Sequence, residues 1–274
     1  MNPATVYLVG AGPGAEDLLT LRALRLLREA DIVFHDALVS PDILEYAARA
    51  RKVPVGKRCG AHSAKQQDIN ALLVEAAHTY RCVVRLKGGD PMLFGRAQEE
   101  LDALAAAGVR VEVVPGISAA FGASSSVLQS LTERGVSRSV VFLTPRVGTE
   151  TVAWDWARPA ASADTAVLYM AGRDAHAVAA ALQLAGIPGA RPCVVVESAS
   201  LPGERILPGR LADLARLCAQ LGDGPALVML GEVYADIVSR AESFEQRRQA
   251  LRVLRRGASR GPAREACFPT FPRS

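Results

Sequence analysis

The chain has 274 residues, a formal net charge of +4 and a composition that is 50% hydrophobic but only 5% aromatic. That apolar share supports a sizeable core and excludes a disordered chain, and so few aromatics argue against a nucleic-acid binder built on stacking platforms. The charge is concentrated at one end. Residues 241–274 hold eight Arg and three Glu, so residues 1–240 sum to −1 and the pI of 8.9 reports the tail.

The five cysteines are odd in number and widely spaced, without a C-x-x-C, and the four histidines form no H-x-x-x-H pair. Neither a disulfide framework nor a metal site is expected, and a reducing cytoplasm is the simplest home. The N-terminal Met-Asn-Pro-Ala-Thr carries no basic region, and no apolar run approaches the roughly 18 residues of a membrane span. The expectation is a cytoplasmic protein with no signal peptide, no membrane partner and no nucleic-acid partner.

In chain order, residues 6–9 (Val-Tyr-Leu-Val) read as a short strand, and Leu18, Leu21, Leu24 and Leu27 recur at the spacing of a helix face. Residues 32–34 predict a second strand, 41–50 a helix, 53–55 a strand, 66–77 a helix and 83–86 a strand. A helix over 98–107 and a strand over 111–114 follow, then a small-residue helix over 119–130. The rhythm restarts after 131–138, the best linker candidate. Strands are expected at 140–143, 166–169, 193–197 and 226–230, and helices near 175–184 and 211–220. Alternation of this kind predicts an α/β protein with mostly parallel sheets in two domains, residues 1–135 and 138–240. Residues 241–274 form a basic tail, with a helix expected over 242–256 and disorder from 257.

Three strand ends carry glycine turns. The first, Val9-Gly10-Ala11-Gly12-Pro13-Gly14, invites a dinucleotide-binding reading with Asp36 on a ribose. Its third glycine comes one residue early, however, and Pro13 removes an N–H from a loop that should cradle a pyrophosphate. An uncharged or cationic ligand suits it better. The second, Arg85-Leu86-Lys87-Gly88-Gly89-Asp90-Pro91, offers close backbone approach and a carboxylate able to meet a ribose or a positive charge. The third is Val114-Pro115-Gly116-Ile117-Ser118.

Together with Leu-Leu-Thr-Leu-Arg-Ala at 18–23 and Val-Gly-Lys-Arg at 55–58, these motifs resemble the tetrapyrrole methylases over about residues 5–235. Within that family they are most similar to the uroporphyrinogen-III C-methyltransferases. The resemblance implies two α/β domains with the active site in the cleft between them, a homodimer, and S-adenosylmethionine as co-substrate without a metal. It implies methylation of uroporphyrinogen III at carbons 2 and 7 to give precorrin-2, toward sirohaem and cobalamin. It also implies that Asp36 is the proton acceptor and Lys57 the proton donor. By the same resemblance Pro13, Gly88, Gly89, Asp90, Leu93, Ser118, Ala119, Met170, Ala199 and Ala226 line the cofactor.

The residues themselves agree with that chemistry. S-adenosylmethionine carries a sulfonium and no phosphate, so Pro13 is no handicap. An ordinary Asp is ionised at neutral pH and can accept a proton; an ordinary Lys is protonated and can donate one. With 28 Arg and four Lys in the chain, a Lys inside a motif hints that a compact ammonium is wanted there. A polycarboxylate substrate calls for cations, and Arg58, Arg85, Lys87, Arg96, Arg134, Arg138 and Arg146 are candidates.

The chain departs from the family pattern at His35-Asp36, Gly95-Arg96-Ala97-Gln98, Thr132-Glu133-Arg134 and Thr144-Pro145-Arg146. Of these, Glu133 puts an anion where a cation is usual. Three other readings stand beside the leading one: a methyltransferase on a later corrin precursor, a nicotinamide oxidoreductase, and a non-catalytic paralogue that keeps the cofactor pocket.

Overall fold

The computed structural model describes residues 4–56, 66–145 and 155–243, which build two five-stranded sheets. The first holds β1 (Thr5–Gly10), β2 (Ile32–His35), β3 (Arg51–Pro54), β4 (Cys82–Lys87) and β5 (Arg110–Val114). Its order is β3-β2-β4-β1-β5 and every pairing is parallel. Helices α1 (Leu21–Glu29) and α2 (Pro41–Glu45) cover one face, and α3 (Gln66–Thr79) and α4 (Ala97–Ala106) the other.

Alternation along a strand buried on both faces decides what each helix meets. Val84 and Leu86 of β4 join the core under α1 and α2, and Val83 joins the core under α3 and α4. Arg85 and Lys87 share the parity of Val83, so two cations enter the second layer. The neighbours β2 and β4 feed connections that leave in opposite directions, toward β3 and toward β5. At such a parting of loops an open parallel sheet leaves a crevice at its carboxyl edge.

The second sheet holds β6 (Val140–Leu143), β7 (Thr165–Tyr169), β8 (Pro192–Glu197), β9 (Arg205–Arg210) and β10 (Ala226–Gly231), in the order β6-β7-β10-β8-β9. Only β6 and β7 run parallel; β10 is antiparallel to β7 and β8, and β9 to β8. The expected parallel rhythm therefore ends at β7. The connection 198–204 is too short for a helical crossover, so the chain returns from β8 as a hairpin. Strand β9 escaped the sequence reading because it contains Pro208 and Gly209, which are tolerated at a sheet edge.

Helix α5 (Ala119–Val127) follows the first sheet but packs on the second: Ala120 and Ala123 share a core with Val167, Val194, Val196, Leu227 and Met229. Helices α6 (Ala157–Ser162), α7 (Ala175–Leu184) and α8 (Leu214–Cys218), with a helical stretch over residues 235–243, belong to that half. Residues 131–138 run between the two sheets as a turn in which Ser137 N–H donates to Glu133 O at 2.8 Å.

Two helix expectations need correction. In α1 the buried positions are Ala23, Leu26 and Leu27, and Leu21 is 86% exposed. Thr20 caps the helix by accepting from Ala23 N–H at 3.1 Å, so Leu18 lies before it, and of the four spaced leucines Leu27 alone is buried in the core. Helix α2 stops at Glu45 rather than near residue 50. A helix over residues 235–243 runs into the basic tail, and the rest of the helix expected over 242–256, from residue 244 on, lies outside the described residues with the remainder of the tail. At its start Arg210 donates to Glu242 at 2.7 Å.

Candidate functional site

The three glycine turns meet backbone to backbone. A Cβ on Gly10 would lie 2.6 Å from Gly116 Cα and 2.7 Å from Gly89 O, so only hydrogen fits there. Gly12 N–H donates to Gly89 O at 3.2 Å, and Gly89 N–H returns a bond to Gly12 O at 2.7 Å. Asp90 fastens the assembly, its Oδ2 accepting from Gly116 N–H at 2.9 Å and its Oδ1 from Met92 N–H at 2.8 Å. Ala11 N–H is taken by Lys87 O at 2.7 Å. Ala11 and Gly12 thus have no N–H to spare and Pro13 has none at all, which leaves no cradle for a pyrophosphate. The dinucleotide reading fails at this point.

Facing these loops are the strand ends of the second sheet. Ser118 Oγ lies 2.6 Å from Tyr169 Oη, which also accepts from Ala120 N–H at 3.3 Å. Burial is the main reason that the Tyr169 phenol is raised above its ordinary 10.0. Ala15 N–H donates to Ser200 Oγ at 3.1 Å, and a Cβ on Gly122 of α5 would stand 2.9 Å from the Pro13 ring. Met170, Ser198 and Ser200 hold φ of 57°, 53° and 66°, a left-handed backbone that non-glycine residues adopt at a cost.

Pro13, Gly88, Gly89, Asp90, Leu93, Ser118 and Ala119 therefore gather on the loops of the first sheet, with Met170, Ala199 and Ala226 on those of the second. Ala199 is buried between the two strained serines. Ala226 opens β10 opposite Glu197, and the adjoining Ser198 N–H donates to Pro225 O at 2.8 Å. Phe94, Tyr169, Phe142 and Phe121 form a row of ring contacts with centroids 5.0, 6.4 and 6.0 Å apart. Its two ends are open, Phe94 being 40% and Phe121 52% exposed, and Met170 is 47% exposed.

Asp36 follows β2 on the same carboxyl edge, with its side chain 27% exposed. Its Oδ1 accepts from Arg85 Nη2 at 2.6 Å. Arg85 Nε donates to Glu100 Oε1 at 3.0 Å, and Lys87 Nζ donates to both Glu100 oxygens at 3.1 and 3.0 Å. Arg85 and Lys87, alternate residues at the end of β4, thus carry cations that Glu100 of α4 neutralises. Arg85 and Lys87 were candidates for substrate carboxylates; at 2% and 3% exposure and already paired, they are internal groups. Burial, and next the Arg85 charge, lower the Lys87 ammonium below its ordinary 10.5. Nothing in the β4 sequence announced Glu100 as their partner.

Of the other cation candidates, Arg96 is paired with Glu99 at 2.7 Å, and Arg134 and Arg138 are exposed without an ion pair among the described residues. Lys57, Arg58 and Arg146 lie outside the described residues. Gly56 packs on Asp36, where a Cβ would come 3.0 Å from Asp36 Cα. Glu133 stands exposed and accepts from Gln129 Nε2 at 3.3 Å. Among the described residues no group of three or more His, Cys, Asp or Glu could hold a metal ion, and no helix is long and apolar enough to cross a membrane.

Comparison with known proteins agrees with this arrangement. Residues 5–215 match the family model described as Tetrapyrrole (Corrin/Porphyrin) Methylases. Siroheme synthase 2 of Aeromonas hydrophila is 45% identical over 231 residues, which is 84% of this chain and 49% of that protein. The chain spans about half the length of the curated relatives it matches. Among solved structures, uroporphyrin-III C-methyl transferase from Thermus thermophilus complexed with S-adenyl homocysteine is 40% identical. It superposes with a TM-score of 0.74 over 85% of this chain and 99% of that one. A cobalamin-biosynthetic cobalt precorrin-4 methyltransferase reaches the same TM-score at 27% identity, over 84% and 95% of the two chains. With its glycine turns stacked at the edge of a parallel sheet and a mixed second sheet facing them, the chain belongs to the tetrapyrrole methylase family.

Proposed function

We propose that the protein methylates uroporphyrinogen III at carbons 2 and 7, with S-adenosylmethionine as methyl donor, to give precorrin-2. The observation that carries this reading is a first glycine turn whose Ala11 and Gly12 N–H groups are already bonded and whose Pro13 has none, beside the part-exposed carboxylate of Asp36. Such an edge favours a ligand that is cationic where it meets the loop and has no phosphate, which describes a sulfonium donor. The Thermus thermophilus relative, complexed with S-adenyl homocysteine, supports the same choice.

In the proposed reaction an electron-rich pyrrole carbon attacks the methyl group, a carbon–carbon bond forms, and the sulfur–methyl bond breaks with its electrons left on sulfur. The chain's contribution is positioning and proton management. Asp36 accepts the proton released as the ring system recovers, and Lys57 donates one to it. Pro13, Gly88, Gly89, Asp90, Leu93, Ser118, Ala119, Met170, Ala199 and Ala226 line the cofactor, Asp90 chiefly by holding the loops. The open aromatic row from Phe94 to Phe121 suits a flat macrocycle, and Arg134 and Arg138 are free to meet peripheral carboxylates. The reading includes a homodimer in the cytoplasm, working from a cleft between domains 1–135 and 138–240.

The test is an anaerobic incubation with uroporphyrinogen III and methyl-labelled S-adenosylmethionine, following label and product mass. A gain of two methyl groups is the expected result. Absence of transfer by a protein that still binds S-adenosylhomocysteine in calorimetry would move the function to a later corrin precursor or to a non-catalytic paralogue.

A further inference from the structure

Arg85 is 2% exposed, yet every nitrogen of its guanidinium has a separate partner. Nε donates to Glu100 at 3.0 Å, Nη1 to Leu86 O at 3.2 Å and Nη2 to Asp36 Oδ1 at 2.6 Å. A planar fork held on three sides cannot turn, so whatever it holds is held in one direction. Glu100, the anchor, is fully buried. It accepts from Arg85, from Lys87 through both oxygens and from Gln66 Nε2 of α3 at 3.2 Å. The cluster therefore has a rigid end, fixed by α3, α4 and β4, and one end that reaches the crevice.

Charge gives the same division. Arg85 and Lys87 bring two positive charges and Glu100 only one negative charge, so Asp36 completes the balance. Asp36 is also the only one of the four with appreciable exposure. Arg85 occupies one of its oxygens; among the described residues no hydrogen bond reaches Oδ2. A buried ion pair is an expensive way to stabilise a core, since apolar residues of similar size do so as well or better. Holding a carboxylate at a set angle is a task that apolar residues cannot perform.

We propose that Arg85, anchored by Glu100, is a positioning residue that aims Oδ2 of Asp36 at the substrate. This rests on Asp36 being the proton acceptor. Arg85 touches no substrate and acts only through Asp36. An ammonium at the same place keeps the charge but cannot span both carboxylates.

The experiment is a kinetic cycle on the full chain with Arg85→Lys, Asp36→Ala and the double variant, using the methyl-transfer assay above. Folding is checked by circular dichroism and by calorimetric binding of S-adenosylhomocysteine. Arg85→Lys should lower kcat by about 10- to 100-fold, with KM for S-adenosylmethionine and S-adenosylhomocysteine affinity within about twofold of wild type. In the Asp36→Ala background the same change should have almost no further effect. Equal losses in both backgrounds would make Arg85 a purely structural residue and overturn the proposal alone. An Asp36→Ala protein with wild-type kcat would sink the acceptor reading, and the proposal with it. Glu100→Gln, which leaves an amide oxygen for Arg85 Nε, is the second variant and should follow the same pattern. Loss of the fold in both Arg85→Lys and Glu100→Gln would assign the cluster to stability and reject a positioning role.

Discussion

Ser118 and Tyr169 bring their hydroxyl oxygens to 2.6 Å and so tie the start of α5 to the end of β7. The first residue follows the parallel sheet and the second belongs to the mixed one, so this hydrogen bond joins the bond from Ala15 N–H to Ser200 Oγ in linking the two halves. The part-buried Tyr169 phenol is protonated at neutral pH like any tyrosine, and burial raises its pKa further. Tyr169→Phe removes the hydroxyl while keeping the ring contacts with Phe94 and Phe142. Loss of the bond to Ser118, together with the longer one from Ala120 N–H, is worth about 1 kcal/mol. Calorimetry should therefore find S-adenosylhomocysteine affinity about fivefold weaker; an unchanged affinity would mean that this link does not shape the cofactor edge.

Gly10→Ala should be far more damaging than a surface Gly→Ala. The added methyl would press on Gly116 Cα and Gly89 O, which are backbone atoms with no rotamer to yield. Overpacking of this kind costs about 1–3 kcal/mol, and here the strain falls on the loops themselves. Thermal melts should show the loss of stability, and calorimetry a loss of cofactor affinity of about tenfold or more. Gly186, where an added Cβ would meet nothing, serves as a control for packing alone, although its φ of 98° adds backbone strain.

Asp36→Ala and Lys57→Ala should each lower turnover by about 10²- to 10⁴-fold, the usual range for removing a general acid or base. Cofactor affinity should stay within about twofold. Steady-state kinetics paired with calorimetry separates the two effects, and normal rates in both variants would remove the assigned roles.

Alkaline pH should destabilise the fold through its thiols. Burial pushes Cys82 and Cys218 up to about 11 and Cys193 up to about 12, all from an ordinary 9.0. The folded chain keeps protons that the unfolded chain releases above pH 9, so alkali favours unfolding. This contribution is intact below pH 9 and is lost as pH rises toward 11 and 12. Urea midpoints should fall between pH 8 and pH 10.5, and Cys193→Ala should make the fall shallower. A midpoint flat across that interval would contradict the assignment.

Short-range pattern carried much of the architecture into view. The strands of the first sheet and the glycine turns that end β1, β4 and β5 are visible because a parallel strand buried on both faces is a continuous apolar run, and the turn after it needs small residues. The same local signals misled in part at α1, where steps of three residues drift around a helix of about 3.6 residues per turn and leave Leu21 exposed while Leu27 is buried. They missed β9, whose edge position made Pro208 harmless. The direction of β10 depends on partners distant in the chain.

The residues that could meet a ligand are thus written in the sequence, as glycine turns, Asp36 and a family likeness that motifs alone revealed. Their working state is not. Arg85 and Lys87 read as cations awaiting a substrate until Glu100, carried in on α4, occupies them; that Asp90 also fastens Gly116 and Met92 shows only in the fold. Identity and spacing along a chain set which groups exist. Whether a charge is free or already neutralised depends on which side chain the packing of a helix on a sheet delivers to within about 3 Å.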